Sequence, residues 1–241
     1  MIRNVGLIAH SGSGKTSLAE AMLYSSGAVD RLGRIDEGNT VCDYDPEEIK
    51  RLISITTGLA PCEWENIKVN IFDTPGYFDF VGEVKSTLRV VESAVIVTCA
   101  VSGVEVGTEQ VFKYVDDANL PRIFFINKMD RENANFNKVL DQIQQFFGPK
   151  AVPFQLPIGQ EANFKGVVDI VSQKAFTFDG KNVKESPIPD DLKDATDHYK
   201  SMLIEAVAET DDELLTKYLE SEELSDDEIQ KGLRRGVLSG K

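Results

Sequence analysis

The feature that most constrains this chain is a glycine-rich turn between an apolar stretch and a helical pattern near its start. Residues 3–9 (RNVGLIA) are a short run rich in strand formers, and residues 15–26 repeat apolar side chains at the helical period. The residues at the junction, 9–16, are AHSGSGKT and fit the Walker A pattern with alanine at its first glycine position. Strand, turn and helix in this order are what phosphate binding requires. The sequence therefore predicts a P-loop NTPase fold.

Each residue type in this turn has a physical role in binding phosphate. Glycines let the backbone curl so that N–H groups point at phosphate oxygens, and the helix N-terminus adds partial positive charge. Lys15 can reach the β- and γ-phosphates, and the Thr16 hydroxyl can ligate Mg²⁺. We expect His10 to pack or hydrogen-bond locally rather than to catalyse. The predicted nucleotide-binding residues of the turn are Ser11, Gly12, Ser13, Gly14, Lys15, Thr16 and Ser17.

A second motif, Asp73-Thr74-Pro75-Gly76, ends the apolar stretch 69–72. An aspartate at a strand end can hold Mg²⁺ through water, and the Gly76 N–H can meet a γ-phosphate. The glycine also lets the segment move when that phosphate leaves. Alone the motif resembles many turns, but its place after the first motif and at a strand end makes it specific.

A third motif, Asn127-Lys128-Met129-Asp130, follows the stretch 122–126, which we expect to be a buried strand. The Asp130 carboxylate can accept two hydrogen bonds from N1 and the exocyclic amine of guanine, which adenine cannot offer. Asn127 and Lys128 can buttress the loop and cover the ring. As the third motif in order, this one favours a GTPase, with GTP and GDP as ligands, over an ATPase.

Strand and helix patterns alternate along the first part of the chain. Strands that are apolar on both faces and alternate with helices predict a doubly wound, mostly parallel α/β sheet. Residues 30–57 lack clear periodicity and read as a long loop, and Glu65-Asn66 joins an expected hairpin. The predicted strands are 3–9, 58–64, 68–72, 94–100 and 122–126, and the predicted helices are 15–26, 80–92, 107–118 and 134–147.

The pattern changes after Gly148-Pro149. Short strand candidates at 151–158, 166–171 and 175–178 precede helices that are rich in acidic residues. The sequences Thr210-Asp-Asp-Glu213 and Ser225-Asp-Asp-Glu228 both predict capping boxes. Residues 185–228 hold sixteen Asp and Glu against three Lys, so the rest of the chain is close to neutral.

Composition excludes several classes of function. A net charge of −14 argues against wrapping of nucleic acid, and we expect no sequence-specific DNA binding. The longest nearly apolar run, 94–101, is too short to cross a bilayer, and the N-terminal residues do not form a signal-peptide layout. Cys42, Cys62 and Cys99 lack metal-site spacing and are typical of reduced thiols, so we expect a cytoplasmic protein.

On five segments together the chain resembles the translational GTPases, and most of all elongation factor G and its paralogues. The segments are AHSGSGKTS (9–17), DPEEIKRLISI (45–55), DTPGYFDF (73–80), NKMDRENANF (127–136), and QLPIG with GVVDIV (155–171). The resemblance implies a GTP-binding core over 1–157 and an inserted α+β subdomain, rich in acidic helices, over 158–241. It also implies GTP hydrolysis on the ribosome, at the factor-binding region of the large subunit. In that family the acidic helices face a basic stalk protein.

The resemblance also assigns roles within the site. The loop 30–57 becomes the first switch, and Ser54 takes the place of a threonine whose hydroxyl completes the Mg²⁺ shell. The implied metal ligands are thus Thr16, Ser54 and Asp73. The implied catalytic positions are Lys15, Gly76 and Tyr77.

The chain departs from the family pattern at four places. Tyr77 stands where the family carries a histidine that orients the attacking water, and a phenol with an ordinary pKa of about 10 is a poor base. Gly12 replaces an aspartate, and Leu52 replaces a glycine of the first switch. The last guanine-loop motif, a Ser-Ala pair after a strand, is not found. We expect the sequence to be one part of a longer protein.

Several functions remain open on the sequence alone. The leading one is a ribosome-stimulated GTPase of elongation factor type. The second is a nucleotide-gated ribosome ligand with little or no hydrolysis, which Tyr77 favours. A tetracycline-resistance-type ribosomal protection factor and release factor type three are weaker alternatives, and an ATPase is the weakest. We expect a monomer.

Overall fold

The computed structural model describes residues 1–149, 151–178, 182–221 and 224–239. Its internal contacts divide the chain into two compact units, Met1–Asn127 and Lys128–Lys241. The boundary predicted between residues 157 and 158 follows from the family resemblance and not from contacts within the chain. It stays a prediction.

The first unit is an α/β sheet with its helices inserted between strands. Its five strands run in the order β2-β3-β1-β4-β5. Strand β1 pairs in parallel with β3 and β4, β4 pairs in parallel with β5, and only β2 is antiparallel. The mostly parallel sheet is therefore confirmed. Its elements are β1 (Ile2–Ile8), α1 (Lys15–Ser25), α2 (Pro46–Arg51), β2 (Gly58–Trp64), β3 (Ile67–Asp73), α3 (Val81–Thr87), β4 (Ser93–Cys99), α4 (Val106–Asp117) and β5 (Arg122–Asn127).

Two apolar clusters form the core of this unit. Leu7 and Ile8 are consecutive in β1 and completely buried, yet they belong to different clusters. Successive side chains of a strand point to opposite faces, so both faces of β1 are covered. Leu7 packs with residues of α1 such as Leu23, and Ile8 packs with residues of α3 and α4 such as Val84 and Val111.

Three expectations for this unit need correction. The loop predicted over 30–57 contains the helix α2. The helix predicted over 80–92 ends at Thr87, because the chain turns back to β1, where the Glu92 N–H donates to the Asn4 carbonyl at 2.9 Å. Strand β5 was predicted to be buried, but its Phe125 is 38% exposed because β5 lies at the edge of the described sheet. The hairpin turn at Glu65-Asn66 is confirmed, with both residues at positive φ.

The second unit combines an antiparallel sheet with helices. Its sheet has the order β6-β7-β8-β9, and one apolar cluster that includes Leu156, Val168, Leu203 and Ile229 forms its core. The sequence did not predict strand β9, because three of its four residues are polar and give no strand pattern. In the structure these residues are largely exposed. The elements are α5 (Phe136–Phe147), β6 (Gln155–Ile158), β7 (Gly166–Asp169), β8 (Lys174–Phe178), β9 (Val183–Ser186), α6 (Lys193–Ala208), α7 (Asp212–Ser221) and α8 (Asp226–Ser239).

The two predicted capping boxes have different outcomes. Ser225 caps α8, because its N–H donates to Glu228 at 2.8 Å and its hydroxyl accepts the Glu228 N–H at 3.4 Å. The box at Thr210 is wrong. The Thr210 hydroxyl donates back to the Val207 carbonyl at 2.7 Å, and Asp211 instead accepts the Glu213 N–H at 2.9 Å. Asp211 rather than Thr210 therefore caps α7, and this helix begins at Asp212, one residue later than predicted.

In the described part of the chain, no helix is long and apolar enough to cross a membrane.

Candidate functional site

The glycine-rich turn lies where the sequence placed it, between β1 and α1. Gly12 and Gly14 have φ values of 76° and 95°, a left-handed conformation that glycine adopts without strain. Gly14 is the N-cap residue of α1, and its carbonyl accepts the Leu18 N–H at 3.0 Å. The turn thus opens directly onto a helix N-terminus, the geometry that favours a bound anion.

Lys15 is buried at the start of α1, with 6% of its surface exposed. Its Nζ donates to the carbonyl of His10 at 3.4 Å, across the turn. Burial lowers the pKa of Lys15, whereas the charges of Asp73 and Asp43 act in the opposite direction. A cationic amine is therefore held inside the site between the turn and two carboxyl groups.

Asp73 ends β3 and is 1% exposed. Its two carboxyl oxygens are buried and have no hydrogen bond of ordinary geometry among the described residues, although the nearby Thr16 hydroxyl acts to lower the pKa of the carboxyl group. Burial raises the pKa of Asp73 to about 7, although the Lys15 charge works against this rise. A buried carboxyl group without hydrogen bonds is costly unless a cation compensates it.

The hydroxyls of Thr16 and Ser54 lie 3.2 Å apart, although 38 residues separate them in the chain. Thr16 belongs to α1, and Ser54 to the loop after α2. With Asp73 they form a set of oxygen donors, the ligand type that Mg²⁺ prefers. The residues present therefore fit a magnesium ion.

Two buried carboxylates hold the loop that carries Ser54. Glu48 of α2 is completely buried and accepts the N–H groups of Ile55 and Thr56 at 2.9 and 3.0 Å. It also accepts the Asp45 N–H at 3.1 Å, which closes a capping box at the start of α2. Glu48 therefore fixes the residues that follow Ser54 as well as the helix that precedes it.

Glu20 of α1 fixes the earlier part of the same loop. It is 1% exposed and accepts the N–H groups of Val41 and Gly33 at 2.6 and 3.2 Å. Asp43 is also buried, and burial raises its pKa.

Sequence reasoning missed Glu20, Asp43 and Glu48. Two signals were available in the sequence. Asp45-Pro46 followed by Glu48 has the composition of a capping box with proline at the first helical position. Glu20 lies four residues after Thr16 and therefore on the same face of α1.

Leu52 follows α2 with a φ of 56°. It therefore keeps the left-handed conformation that a glycine would adopt there, at a cost of roughly 1–2 kcal/mol for an L residue. Its side chain is exposed. The leucine thus adds backbone strain to the loop.

The segment after Asp73 packs against the glycine-rich turn. A Cβ atom built on Gly76 would lie 2.7 Å from both Lys15 Nζ and Ser11 Cα, so only glycine fits without displacement. Tyr77 is 44% exposed, and its backbone carbonyl accepts the Phe80 N–H at 3.1 Å. The predicted phosphate-sensing glycine thus packs against the turn, whereas the tyrosine is largely exposed.

His10 makes local contacts, as predicted. Its Nε2 lies 3.5 Å from a Glu105 oxygen, and its ring packs edge-on against Phe78 with centroids 6.2 Å apart. Gly107 leaves space for this ring, because a Cβ there would lie 2.3 Å from His10 Nδ1.

Asn127, the first residue of the third motif, is hydrogen-bonded to the glycine-rich turn. Its Nδ2 donates to the Ser13 carbonyl at 3.0 Å, and its own carbonyl accepts the Ala100 N–H at 2.8 Å. Lys128 and Asp130 belong to the second unit, where they begin a turn. Lys128 has a φ of 64°, its carbonyl accepts the Arg131 N–H at 3.1 Å, and the Asp130 side chain is exposed.

Comparison with known proteins gives two findings. Residues 1–230 match the sequence profile of a family described as the elongation factor Tu GTP binding domain. A crystal structure of a protein from Thermus thermophilus is similar with a TM-score of 0.94 and 35% sequence identity. That match covers 100% of this chain and 36% of the Thermus chain, so the chain spans about a third of the length of this relative.

Proposed function

The chain belongs to the family of elongation factor Tu-type GTP-binding domains, and we propose that it binds GTP with Mg²⁺ and hydrolyses it as the switch domain of an elongation factor G-like translation factor. One observation carries the proposal. Lys15, Thr16, Ser54, Asp73 and Gly76 converge on a single glycine-rich turn at the N-terminus of α1.

The turn supplies the phosphate contacts. The N–H groups of residues 11–17 and the start of α1 would bind the phosphate oxygens, and the Lys15 amine would balance their negative charge. Asn127 supports this turn through the Ser13 carbonyl. Lys128 and Asp130 would recognise the guanine base.

Thr16, Ser54 and Asp73 would hold the magnesium ion. When bound, the ion would neutralise part of the charge on the phosphate oxygens. This assignment is supported by Glu48, which accepts the Ile55 N–H next to Ser54, and by Glu20, which accepts the Val41 N–H earlier in the first switch. Release of that loop after hydrolysis is the conformational step that a switch requires.

Hydrolysis by this site would depend on positioning and electrostatics. Phosphoryl transfer needs little covalent chemistry from the protein, so Lys15 and the Gly76 N–H can stabilise the charge that develops on the γ-phosphate. Tyr77 could orient a water molecule by hydrogen bonding, although its phenol is a poor base. We therefore propose turnover that is slow alone and stimulated by the ribosome.

The test is GTP turnover by the longest expressed form of the protein, with and without ribosomes and with Mg²⁺ present throughout. Strong stimulation by ribosomes supports the proposal. Binding of GTP and ATP with equal affinity would contradict the guanine assignment, and flat turnover would contradict the catalytic one.

A second function, a nucleotide-gated ribosome ligand that scarcely hydrolyses GTP, is favoured by the exposed Tyr77 side chain. A Tyr77→His variant separates the two functions. A gain in ribosome-stimulated turnover on the order of 10²-fold or more would identify the present protein as a poor catalyst that needs the imidazole. No gain would mean that other groups assist the reaction.

The acidic helices of the second unit are proposed as the surface that meets a basic ribosomal stalk protein. Such a surface would act mainly on the association rate, which falls as salt is added. We further propose that the protein acts as a monomer in the cytoplasm.

A further inference from the structure

A tight turn between β6 and β7 contacts the loop that carries the third motif, and both belong to the second unit. The N–H of Glu161 donates to the Met129 carbonyl at 2.8 Å. The Glu161 carboxylate accepts the Asn133 N–H at 2.7 Å. One residue of the turn therefore holds both ends of the segment 129–133, which contains Asp130.

This segment has an irregular backbone that needs such support. Lys128 and Asn133 have φ values of 64° and 65°, a region that residues other than glycine seldom adopt. Its internal hydrogen bonds include Arg131 N–H to Lys128 carbonyl, at 3.1 Å. Met129 is buried, whereas Asp130 is exposed. The direction of the Asp130 side chain thus depends on how the backbone on either side of it is held.

The turn that carries Glu161 is closely packed. The Lys165 N–H donates to the Ile158 carbonyl at 2.9 Å, which closes the turn. Gly159 has a φ of 75°, and a Cβ there would lie 2.1 Å from the Asn163 carbonyl oxygen. Glu161 itself has a φ of 53°, a conformation that persists only where the surrounding contacts maintain it.

We propose that Glu161 is a positioning residue for guanine recognition: it fixes the segment 129–133 so that the Asp130 carboxylate meets the base. The inference rests on the proposed function, because that function assigns Asp130 to guanine. The bond from the Asn133 N–H to a charged carboxylate is of the short, strong kind. Base specificity then depends on a residue thirty-one positions after Asp130 and outside the three motifs.

The test compares three variants for their affinity for GDP and for inosine diphosphate, which lacks the exocyclic amine of guanine. Glu161→Ala removes the acceptor, and Glu161→Gln keeps an oxygen that can accept the Asn133 N–H. Glu132→Ala is the matched control, because it makes the same change of charge at an exposed side chain of the segment 129–133 itself.

We expect Glu161→Ala to reduce the preference for GDP over inosine diphosphate on the order of 10-fold. Glu161→Gln should recover most of that preference, and Glu132→Ala should leave it unchanged. A role in fold stability alone would lower both affinities together and leave their ratio constant. An unchanged ratio in Glu161→Ala, or equal losses in the alanine and glutamine variants, overturns the inference.

Amide hydrogen exchange without nucleotide provides the second readout. The Asn133 N–H should exchange faster in Glu161→Ala than in Glu132→Ala, and equal rates overturn the positioning role. An unsubstituted chain that binds GDP no better than inosine diphosphate would instead contradict the proposed function. The exchange rates would still decide whether Glu161 holds the segment.

Discussion

Charged side chains are buried in the first unit, whereas every described charged side chain of the second unit is partly or fully exposed. The buried ones are Lys15, Glu20, Asp43, Glu48 and Asp73. Residues 185–228 carry most of the net charge of the chain. Within the described part of this stretch no charged side chain is buried, and the buried polar residue is the uncharged Thr196.

The physical cost of these two arrangements differs greatly. Moving a carboxylate from water into a protein costs several kcal/mol unless hydrogen bonds or opposite charges compensate it. Glu48 and Glu20 recover this cost through backbone N–H groups, and Asp73 recovers part of it through Lys15. Exposed acids stay solvated and contribute little to stability. Buried charge is therefore concentrated around the glycine-rich turn, and exposed charge on the acidic helices of the second unit.

The largest expected effect is at the best-compensated buried charge. Glu48→Ala leaves the N–H groups of Asp45, Ile55 and Thr56 without their acceptor, so we expect a loss of about 3–5 kcal/mol in the free energy of unfolding. Urea denaturation measures it. The matched control is Glu47→Ala on the same helix, whose carboxylate is exposed and pairs with Arg51; it should cost less than about 1 kcal/mol. Equal costs would remove the distinction between buried and exposed acids.

The next effect concerns close packing within the site. In Gly76→Ala the new methyl group would meet Lys15 and Ser11 at 2.7 Å. We expect GTP affinity to fall on the order of 10²-fold, with a smaller effect on GDP, because the segment could not approach the γ-phosphate. Gly82→Ala is the control, since nothing lies within 4 Å of its added Cβ. Nucleotide titration with equal losses for GTP and GDP would argue against a γ-phosphate role.

A moderate effect is expected at a helix cap of the second unit. Ser225→Ala removes the hydroxyl that accepts the Glu228 N–H and should cost about 1 kcal/mol of unfolding free energy. Thr210→Val should cost less, because the Thr210 hydroxyl caps no helix N-terminus. Thermal unfolding of both variants ranks the two sites, and the reverse ranking would mean that the cap assignment is mistaken.

A smaller effect of opposite sign is expected at the first switch. Leu52→Gly relieves a left-handed backbone but also increases the entropy of the unfolded chain. The net result should be a stabilisation of about 0.5 kcal/mol, measured by thermal unfolding. Leu52→Ala, which keeps the strain, should show no gain, and a destabilised glycine variant would indicate that the exposed leucine makes a useful contact.

The smallest effect is a pH dependence in the second unit. Hydrogen bonds from Lys217 and Ser225 lower the pKa of Glu228 to about 2, from an ordinary value of 4.5. Because the folded-state pKa is below the unfolded one, this contribution to stability is complete above pH 4.5. It is lost as the pH falls toward 2. A Glu228→Gln variant should flatten this part of the melting-temperature profile, and an unchanged slope would assign it to other acids.

Much of the architecture could be predicted from the sequence. The glycine-rich turn, the hairpin at Glu65-Asn66, the alternation of strands and helices and the cap at Ser225 are local patterns. Their residues are neighbours in the chain, so spacing and residue type are sufficient to indicate the structure.

Other features were decided only by tertiary structure. The hydroxyls of Ser54 and Thr16 lie 3.2 Å apart although 38 residues separate them. Glu20 accepts the Val41 N–H from the intervening loop, and Glu48 accepts the Ile55 N–H next to Ser54. Glu161 accepts the Asn133 N–H of the third-motif loop in the same way, from another segment.

The sequence by itself predicted which residues bind a nucleotide, because the residue types that this chemistry needs are contained in short motifs. Which carboxylates are buried was determined by the fold. A carboxylate can be buried only where distant backbone N–H groups converge on it, and residue spacing does not contain that information.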